Sequence, residues 1–318
     1  MPFASTGSLA SPSTAPVVAV VGPTASGKSD LGLDLAEALG GEVVNADAMQ
    51  LYRGMDIGTA KLPVAQRRGI AHHLLDVLDV TQEATVARYQ AQAREAIDDI
   101  LARGRRPILV GGSGLYVRAA LDVLEIPPTD PEVRAAIEAR EAAEGADVLR
   151  AELRERDPEA AVAIEPNNVR RIIRALEVIE LTGRPFSATM PTRTFLRPTV
   201  MVGLQPDRAL LYERIGQRVH EMVDAGLADE VWALDAAGLR QSRTAARALG
   251  YAEVLALPTG SRITPAVAED IIVNTRRFAR RQLAWFRPEP RVHWLDPHAP
   301  DLTARALDVI RAIDTAPR

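Results

Sequence analysis

A glycine-rich octapeptide near the N-terminus has the residue types of a phosphate-binding loop, G-x-x-x-x-G-K-[ST]. Its residues are Gly22, Pro23, Thr24, Ala25, Ser26, Gly27, Lys28 and Ser29. Glycines let backbone N–H groups turn towards phosphate oxygens, and the start of a helix favours the same anion. Lys28 supplies a compact positive charge, and the Ser29 hydroxyl is a typical Mg²⁺ ligand. The pattern, shared by nucleotide-binding and ATP-binding proteins, predicts a di- or triphosphate site with Mg²⁺ as cofactor.

The residues on both sides of this loop have the periodicity of the elements that must position it. Val17–Val21 are small, apolar and mostly β-branched, as in a strand buried on both faces. After the loop, Leu31, Leu35 and Leu39 recur at helical spacing, and the glycines at 40 and 41 predict the end of that helix. The sequence therefore predicts a strand, the phosphate loop and a helix in succession.

A carboxylate follows the next predicted strand. Residues 42–46 are typical of a short strand, and Asp47 comes directly after it. Ligands bind at the carboxyl ends of parallel strands, so Asp47 is expected close to the phosphate loop. Lys61 ends the glycine-punctuated stretch that follows, and it is one of only two lysines among 38 basic residues. We interpret Lys61 as either a chance lysine or a second cation of the site.

The remaining pattern predicts an α/β protein with a P-loop NTPase-like parallel sheet flanked by helices. Further strands are expected near 72–77, 107–110, 199–204 and 292–295, and the long helices between them have apolar residues at helical spacing. The adjacent histidines at 72 and 73 point to opposite faces of a strand, which argues against a shared metal ion. The glycines at 111 and 112, followed by Ser113, predict either a packing turn or a backbone approach to ligand.

The segment between about 131 and 183 is rich in Ala, Glu and Arg and free of strand signals. We therefore predict an all-helical insertion domain at 127–198 within a core formed by 17–126 and 199–318. Residues 1–16 are rich in Ser, Thr, Ala and Pro and are expected to be a disordered tail rather than a signal peptide. The segment from Arg247 to Tyr251 is expected to be loop-like.

Composition limits the class of protein. The net charge is −4 and there are no cysteines, which excludes disulfides, Cys–zinc sites and thiol nucleophiles. No apolar run approaches the roughly 18 residues of a membrane span. We expect a soluble, cytoplasmic protein without membrane contact.

Arginines are clustered in two places. Arg170, Arg171 and Arg174 share part of one predicted helix, and four more lie at 276–281. Such clusters are either solvated faces with salt bridges or binding sites for a polyanion, to which arginine is suited.

Nearly the whole chain after the tail resembles the bacterial tRNA dimethylallyltransferase family, also called tRNA isopentenyl transferases. The strings that carry the resemblance are GPTASGKS at 22–29, DAMQ at 47–50, YRGMDIGTAK at 52–61, HLLD at 73–76, GG at 111–112, N at 167, R at 171, RALEV at 174–178, RALGY at 247–251 and RQ at 281–282. The string at 52–61 is the most specific of them. One departure is Ala48, where the family usually has Ser, so the side chain at this position can make no hydrogen bond near the base.

The resemblance implies transfer of a dimethylallyl group from dimethylallyl pyrophosphate to N6 of the adenosine adjacent to the anticodon of tRNA. Pyrophosphate would then occupy the octapeptide, Thr24 would orient its bridging oxygen, Lys28 would take up charge, and Asp47 would accept the N6 proton. The tRNA-binding residues that it implies are Asp47, Ala48, Met49, Gln50, Ser113, Arg134, Arg170, Arg171, Arg174, Arg247, Gly250 and Tyr251. The insertion domain would grip the anticodon stem-loop, and we expect a monomer.

Three other functions remain open from the sequence. A small-molecule or nucleotide kinase shares the phosphate loop and can use an Asp after the second strand as its base. An adenylate isopentenyltransferase would act on free nucleotides, for which the arginine-bearing insertion is superfluous. A non-catalytic phosphate switch or RNA-binding module would have no use for Asp47 beside the loop.

Overall fold

The computed structural model describes residues 16–189 and 193–315, so the predicted tail lies outside them except for its last residue. The chain divides into two compact units. One contains the chain up to Leu121 and again from Arg197, and the other is Asp122–Leu196. The helical unit thus begins five residues before the predicted boundary at 127 and ends two residues before 198.

The first unit contains a parallel sheet. In the described part of the chain its strands are β1 (Val17–Val21), β2 (Gly41–Asn45), β3 (His72–His73), β4 (Arg106–Gly111), β5 (Thr199–Leu204) and β6 (Val292–Leu295). Their spatial order is β3-β2-β4-β1-β5-β6, and every neighbouring pair is parallel. The α/β class predicted from the sequence is confirmed.

Helices connect the strands and form the second unit. Among the described residues they are α1 (Lys28–Leu39), α2 (Val86–Ala102), α3 (Gly114–Leu121), α4 (Pro131–Glu144), α5 (Ala146–Arg156), α6 (Pro158–Ala163), α7 (Val169–Thr182), α8 (Arg208–Asp224), α9 (Leu227–Ala236), α10 (Tyr251–Leu255), α11 (Pro265–Phe286) and α12 (Leu302–Asp314). None of them combines the length and the apolar character needed to cross a bilayer.

The core of the first unit lies between the sheet and its helices. Val18 and Val20 of the central strand β1 share one buried cluster with Leu31 and Leu35 of α1 and with Ile310 of α12. All residues of β1 are fully buried, as the uninterrupted apolar run predicts. This packing fixes the strand from which the phosphate loop starts.

The helical unit has a separate core. Ile137 of α4, Leu149 and Leu153 of α5, and Ile172 and Leu176 of α7 pack together. Its elements α4 to α7 are all helices, as the sequence predicts for 131–183.

Two local predictions were wrong. Gly41 does not end α1: Gly40 does so at φ +63°, and Gly41 begins β2, where a Cβ atom would lie 2.6 Å from the Arg106 carbonyl oxygen. The segment from Arg247 to Tyr251 is not wholly a loop, because Tyr251 begins α10. The Glu253 carboxylate accepts the Gly250 N–H at 2.8 Å and caps that helix.

Candidate active site

The octapeptide connects β1 to α1 through residues with positive φ. Gly22 has φ +144°, and a Cβ atom there would lie 2.8 Å from the Leu204 carbonyl oxygen. Ala25 and Gly27 follow at φ +62° and +88°. Left-handed residues in such a loop turn successive N–H groups towards one side, which makes a cradle for an anion.

Helix α11 fastens this loop. Gln282 of α11 is buried, and its Oε1 accepts the Thr24 N–H at 2.8 Å. A Cβ atom on Gly112 would lie 2.2 Å from Gln282 Nε2, and one on Gly111 would lie 2.4 Å from the Ala46 carbonyl oxygen. Both glycines are therefore packing positions, as one of the two sequence interpretations has it, and they also line the polar cavity described below.

Lys28 lies at the first position of α1. Its Nζ donates to the Pro23 carbonyl oxygen at 2.5 Å. Burial lowers the pKa of Lys28 to about 8, an effect that the charge of Asp47 opposes and that of Arg218 reinforces. A bound anion would favour the protonated form of Lys28, and the protonated lysine would in turn stabilise the bound anion.

Asp47 is held in place by the last residue of β2. The Asn45 side chain accepts the Asp47 N–H at 2.9 Å and donates to the Asp47 and Leu74 carbonyl oxygens at 2.9 and 3.0 Å. The Asp47 Oδ1 accepts the Met49 N–H at 2.9 Å. Burial raises the pKa of Asp47, and the Met49 hydrogen bond and the charge of Lys28 oppose this rise. A carboxylate of raised pKa is a stronger proton acceptor than an ordinary aspartate once it is ionised.

Two adjoining cavities meet at these residues. The smaller, of about 90 Å³, is polar and is lined by the octapeptide from Thr24 onward together with Asp47, Gln50, Arg218 and Gln282. The larger, of about 370 Å³, is mostly apolar. The residues that line both are Thr24, Ala25, Asp47, Thr59, Ala60 and Arg218. A molecule with an anionic head and an apolar tail fits this pair of cavities.

The apolar cavity owes its character to α8 and α11. Ile215, Val219 and Met222 line it from α8, and Ile271 and Phe278 line it from α11. The predicted site residues that also line this cavity are Ala48, Met49, Ser113, Arg247 and Gly250.

Two further predicted residues, Gln50 and Tyr251, contact the segments that form the cavity walls. Gln50 lines the polar cavity, and its Nε2 donates to the Thr59 carbonyl oxygen at 3.1 Å. Tyr251 is fully buried behind the wall, and its hydroxyl donates to Glu230 of α9. Tyr251 therefore contacts Glu230 within the protein and does not line either cavity.

The predicted arginines of the helical unit differ in their surroundings. Arg134 and Arg174 both bind the carboxylate of Glu177, at 2.5 and 2.8 Å, and Glu177 is fully buried. Burial disfavours the ionised carboxylate, but the two guanidinium groups outweigh it and lower the pKa of Glu177. Arg170 and Arg171 are exposed at the start of α7. The first pair stabilises the unit, and the second pair faces solvent.

Lys61 is not a second cation of the phosphate site. Its Nζ donates to the Asp56 and Asp76 carboxylates, each at 2.6 Å, and to the Tyr52 carbonyl oxygen at 2.7 Å. Its side chain is 3% exposed and lines neither cavity. The lysine fixes the segment between Tyr52 and Asp76 instead.

Sequence reasoning missed four residues of the site: Asn45, Arg218, Glu230 and Gln282. Arg218 lines both cavities, and burial followed by the charge of Arg214 lowers its pKa. Gln282 lies in the string RQ at 281–282 that carries part of the family resemblance, but it was not predicted as a site residue. Asn45, Arg218 and Glu230 are single polar residues in ordinary helix or strand patterns, which carry no signal.

Comparison with known proteins decides the family. A family model described as IPP transferase matches residues 50–289. The chain belongs to the IPP transferase family. The resemblance stated from the sequence is thereby confirmed.

Relatives within the family cover nearly the whole chain. A tRNA dimethylallyltransferase of Pseudarthrobacter chlorophenolicus is 61% identical over 293 residues, which is 92% of this chain and 97% of that protein. One of Streptomyces coelicolor is 59% identical over 287 residues, 90% of this chain and 92% of that protein.

Solved structures show the same fold. A tRNA isopentenylpyrophosphate transferase from Bacillus halodurans superposes with a TM-score of 0.67 at 41% identity, covering 94% of this chain and 95% of that one. A eukaryotic dimethylallyltransferase acting on tRNA superposes with a TM-score of 0.78 at 26% identity, covering 93% and 78%. The core is therefore P-loop NTPase-like, as the sequence predicts.

Proposed function

We propose that this enzyme transfers a dimethylallyl group from dimethylallyl pyrophosphate to N6 of the adenosine adjacent to the anticodon in tRNA, with release of pyrophosphate. The curated relatives are named tRNA dimethylallyltransferases, and one structural neighbour is described as acting on tRNA. The observation that carries the proposal is that Thr24 and Asp47 line both the polar and the apolar cavity.

The donor fits the two cavities in one orientation. Its pyrophosphate would lie in the octapeptide, where the inward N–H groups, Lys28 and Arg218 supply positive charge. Its five-carbon chain would extend between α8 and α11, against side chains such as Ile215 and Phe278. The allylic carbon, which joins the head to the tail, would then lie near Thr24 and Asp47.

The transfer needs one bond made, one broken and one proton moved. The N6 nitrogen of adenosine bonds to the allylic carbon, and the bond between that carbon and the pyrophosphate oxygen breaks. Asp47 accepts the proton that N6 loses, for which its raised pKa suits it. Lys28 and Arg218 stabilise the charge that develops on the leaving oxygen, and Thr24 orients that oxygen.

The residues present fit a magnesium ion that is held largely by substrate and water. In the described part of the chain no three His, Cys, Asp or Glu residues are grouped as a metal site. The Ser29 hydroxyl lines the polar cavity at the start of α1, and Mg²⁺ is often bound by one such oxygen plus phosphates. When bound through Ser29, the ion would neutralise pyrophosphate charge.

The acceptor base has to leave the RNA stack to reach Asp47, as in other base-modifying enzymes. Ala48, Met49 and Ser113 line the apolar cavity and would contact the extruded adenine or its neighbours. Because Ala48 has no hydroxyl, its side chain would offer the adenine no hydrogen bond. Exposed Arg170 and Arg171 would contact phosphates of the anticodon stem. We further propose that the enzyme acts in the cytoplasm as a monomer.

One experiment separates this function from a kinase. Purified protein and Mg²⁺ are incubated with undermodified tRNA and dimethylallyl pyrophosphate, and in a second tube with ATP in place of the prenyl donor. Mass spectrometry of the digested RNA is expected to show adenosine carrying a five-carbon group, with no ADP in the second tube. ADP without prenylated adenosine would overturn the proposal. Free AMP as a third acceptor tests the nucleotide-prenylating alternative.

A further inference from the structure

Trp285, near the end of α11, is an aromatic side chain whose indole is fixed on one side and open on the other. A Cβ atom on Gly114 would lie 1.9 Å from both Cδ1 and Nε1 of Trp285 and 2.4 Å from Cε2. Only a glycine lets the indole lie so close to the start of α3. The residue nevertheless remains 45% exposed. The indole is thus pre-positioned while much of its surface faces solvent.

The exposed tryptophan differs from another tryptophan of the chain. Trp232 of α9 is only partly exposed, and its Nε1 donates to the Ser261 carbonyl oxygen at 2.8 Å. Trp285 Nε1 has no hydrogen-bond acceptor among the residues that the structure describes. Contacts within the protein account for the position of the Trp232 side chain. They do not account for the exposed face of Trp285.

Trp285 lies within one helical turn of residues that build the active site. Gln282, three residues earlier, holds the Thr24 N–H of the phosphate loop. Arg281, four residues earlier, lines the apolar cavity, and its guanidinium lies 5.7 Å from the centre of the Phe278 ring. Ser113, which also lines this cavity, precedes the glycine on which the indole packs. The indole therefore lies close to residues that line the apolar cavity, without lining it itself.

The surroundings favour a nucleobase over an apolar protein segment as the occupant of this face. Arg280, Arg281 and Arg287 are exposed on the same stretch of helix, so the region is positively charged. Among the described residues no salt bridge engages these three arginines. Unpaired bases of RNA loops stack on aromatic side chains, and their phosphates bind arginine. A flat aromatic surface amid cations matches both requirements.

We infer that the Trp285 indole, held by Gly114, is a stacking platform for an unpaired nucleobase that flanks the extruded adenosine. The inference rests on the proposed function, since it names the RNA substrate of the same site. Stacking on the platform would hold the neighbouring nucleotide while the target base enters the cavity. Trp285 is thus a positioning residue for the acceptor and has no contact with the pyrophosphate.

Two substitutions separate stacking from packing. Trp285→Phe keeps an aromatic face, whereas Trp285→Leu keeps an apolar side chain without one. Affinity for an unmodified anticodon stem-loop RNA is measured in the absence of prenyl donor. We expect Trp285→Leu to weaken it by about tenfold and Trp285→Phe by threefold or less, because stacking on an aromatic ring contributes that much per base. The KM for dimethylallyl pyrophosphate should be unchanged in both.

A fluorescent base locates the contact. The same RNA carries 2-aminopurine on the 5′ or the 3′ side of the target adenosine, and binding of the unaltered enzyme should quench one of the two probes. Trp285→Leu should abolish that quenching. Trp294→Phe, in a tryptophan that packs on Gly203, is the control and should leave it intact.

Three outcomes would overturn the inference. The first is that all variants bind the RNA with the affinity of the unaltered enzyme, and the second is that Trp285→Phe and Trp285→Leu lose RNA affinity equally. The third is that Trp285→Leu quenches the 2-aminopurine probe as the unaltered enzyme does. Equal losses would mean that the indole serves only to pack on Gly114. Because RNA affinity and quenching are measured without turnover, they can fail while the unaltered enzyme still prenylates RNA. Conversely, absence of prenylated product would reject the proposed function and leave these readings intact.

Discussion

The Tyr251 hydroxyl donates a hydrogen bond to Oε1 of Glu230, and this carboxylate also binds a loop that forms part of the cavity wall. Glu230 Oε2 accepts the N–H groups of Asp56 and Ile57 at 3.1 and 2.7 Å, and Oε1 accepts that of Gly58 at 3.2 Å. A Cβ atom on Gly58 would lie 2.3 Å from the Tyr251 ring. One side chain of α9 thus fixes a wall of the site without facing the substrate.

Glu230→Gln should therefore weaken substrate binding without unfolding the enzyme. The amide has a single oxygen, so its NH₂ group would face backbone donors that the carboxylate now accepts, at a cost of about 1–3 kcal/mol. We expect the KM for dimethylallyl pyrophosphate to rise by about tenfold, with a smaller change in kcat. Tyr251→Phe removes only the hydroxyl and should raise this KM by about threefold or less. An unchanged KM in Glu230→Gln would show that the loop does not need the carboxylate.

Gln282→Leu should loosen the phosphate loop. The substitution removes the acceptor of the Thr24 N–H, which lies 2.8 Å away in a buried position. A buried donor left unpaired costs about 1–3 kcal/mol, so we expect about tenfold weaker pyrophosphate binding by calorimetry. Gln217→Leu, at an exposed position of α8, is the matched control and should bind pyrophosphate normally. Normal binding by Gln282→Leu would remove Gln282 from the site.

The pH profile of kcat/KM should have two limbs. Asp47 must be ionised to accept a proton, and burial raises its pKa, so activity should begin to rise at a higher pH than for an ordinary aspartate. Lys28, with its pKa lowered to about 8, should lose its charge above that pH in the free enzyme, and activity should fall. The two groups interact, so the limbs describe the pair. Lys28→Arg should move the alkaline limb upward, because arginine stays protonated. An alkaline limb that does not move would belong to another group.

The raised pKa of Asp47 also affects the stability of the folded protein. A carboxyl whose pKa is higher in the folded protein stabilises the fold only at low pH, and this contribution is lost as pH rises through the folded value. Ionised Asp47 therefore costs stability at neutral pH. Asp47→Asn should abolish turnover, retain pyrophosphate binding and melt at an equal or higher temperature at pH 7. A lower melting temperature would contradict the raised pKa, and retained turnover would exclude Asp47 as the base.

Much of the fold was predictable because its strands and helices have recognisable patterns in the local sequence. The buried run Val17–Val21 and the strand Thr199–Leu204 have strong apolar patterns, and the structure has both strands at those positions. Asp47 was predictable because the carboxyl ends of parallel strands share one edge. These inferences need only local sequence and sheet topology.

Residues that act across long sequence distances were not predictable. Gln282 meets Thr24 across 258 positions, and Glu230 meets Ile57 across 173. The role of Lys61 was also beyond the sequence, which left a chance lysine and a site cation open, whereas tertiary packing pairs it with Asp56 and Asp76. Which polar side chains contact each other depends on how the helices pack. The local sequence around a single polar residue on a helix does not indicate its partner.

The arginines of α7 should separate RNA binding from folding. Arg170 and Arg171 are exposed, so the double variant Arg170→Glu, Arg171→Glu should keep the melting temperature. It should weaken tRNA binding and reduce the slope of log affinity against log salt by about two, because each phosphate contact contributes about one. Arg174→Glu, by contrast, replaces a guanidinium that lies 2.8 Å from the fully buried Glu177 carboxylate with a negative charge, and it should cost about 3 kcal/mol of stability or more. Affinity and salt slope are measured by fluorescence anisotropy, and stability by thermal melting. A double variant that folds normally and binds tRNA with an unchanged salt slope would show that the exposed arginines form only a solvated face.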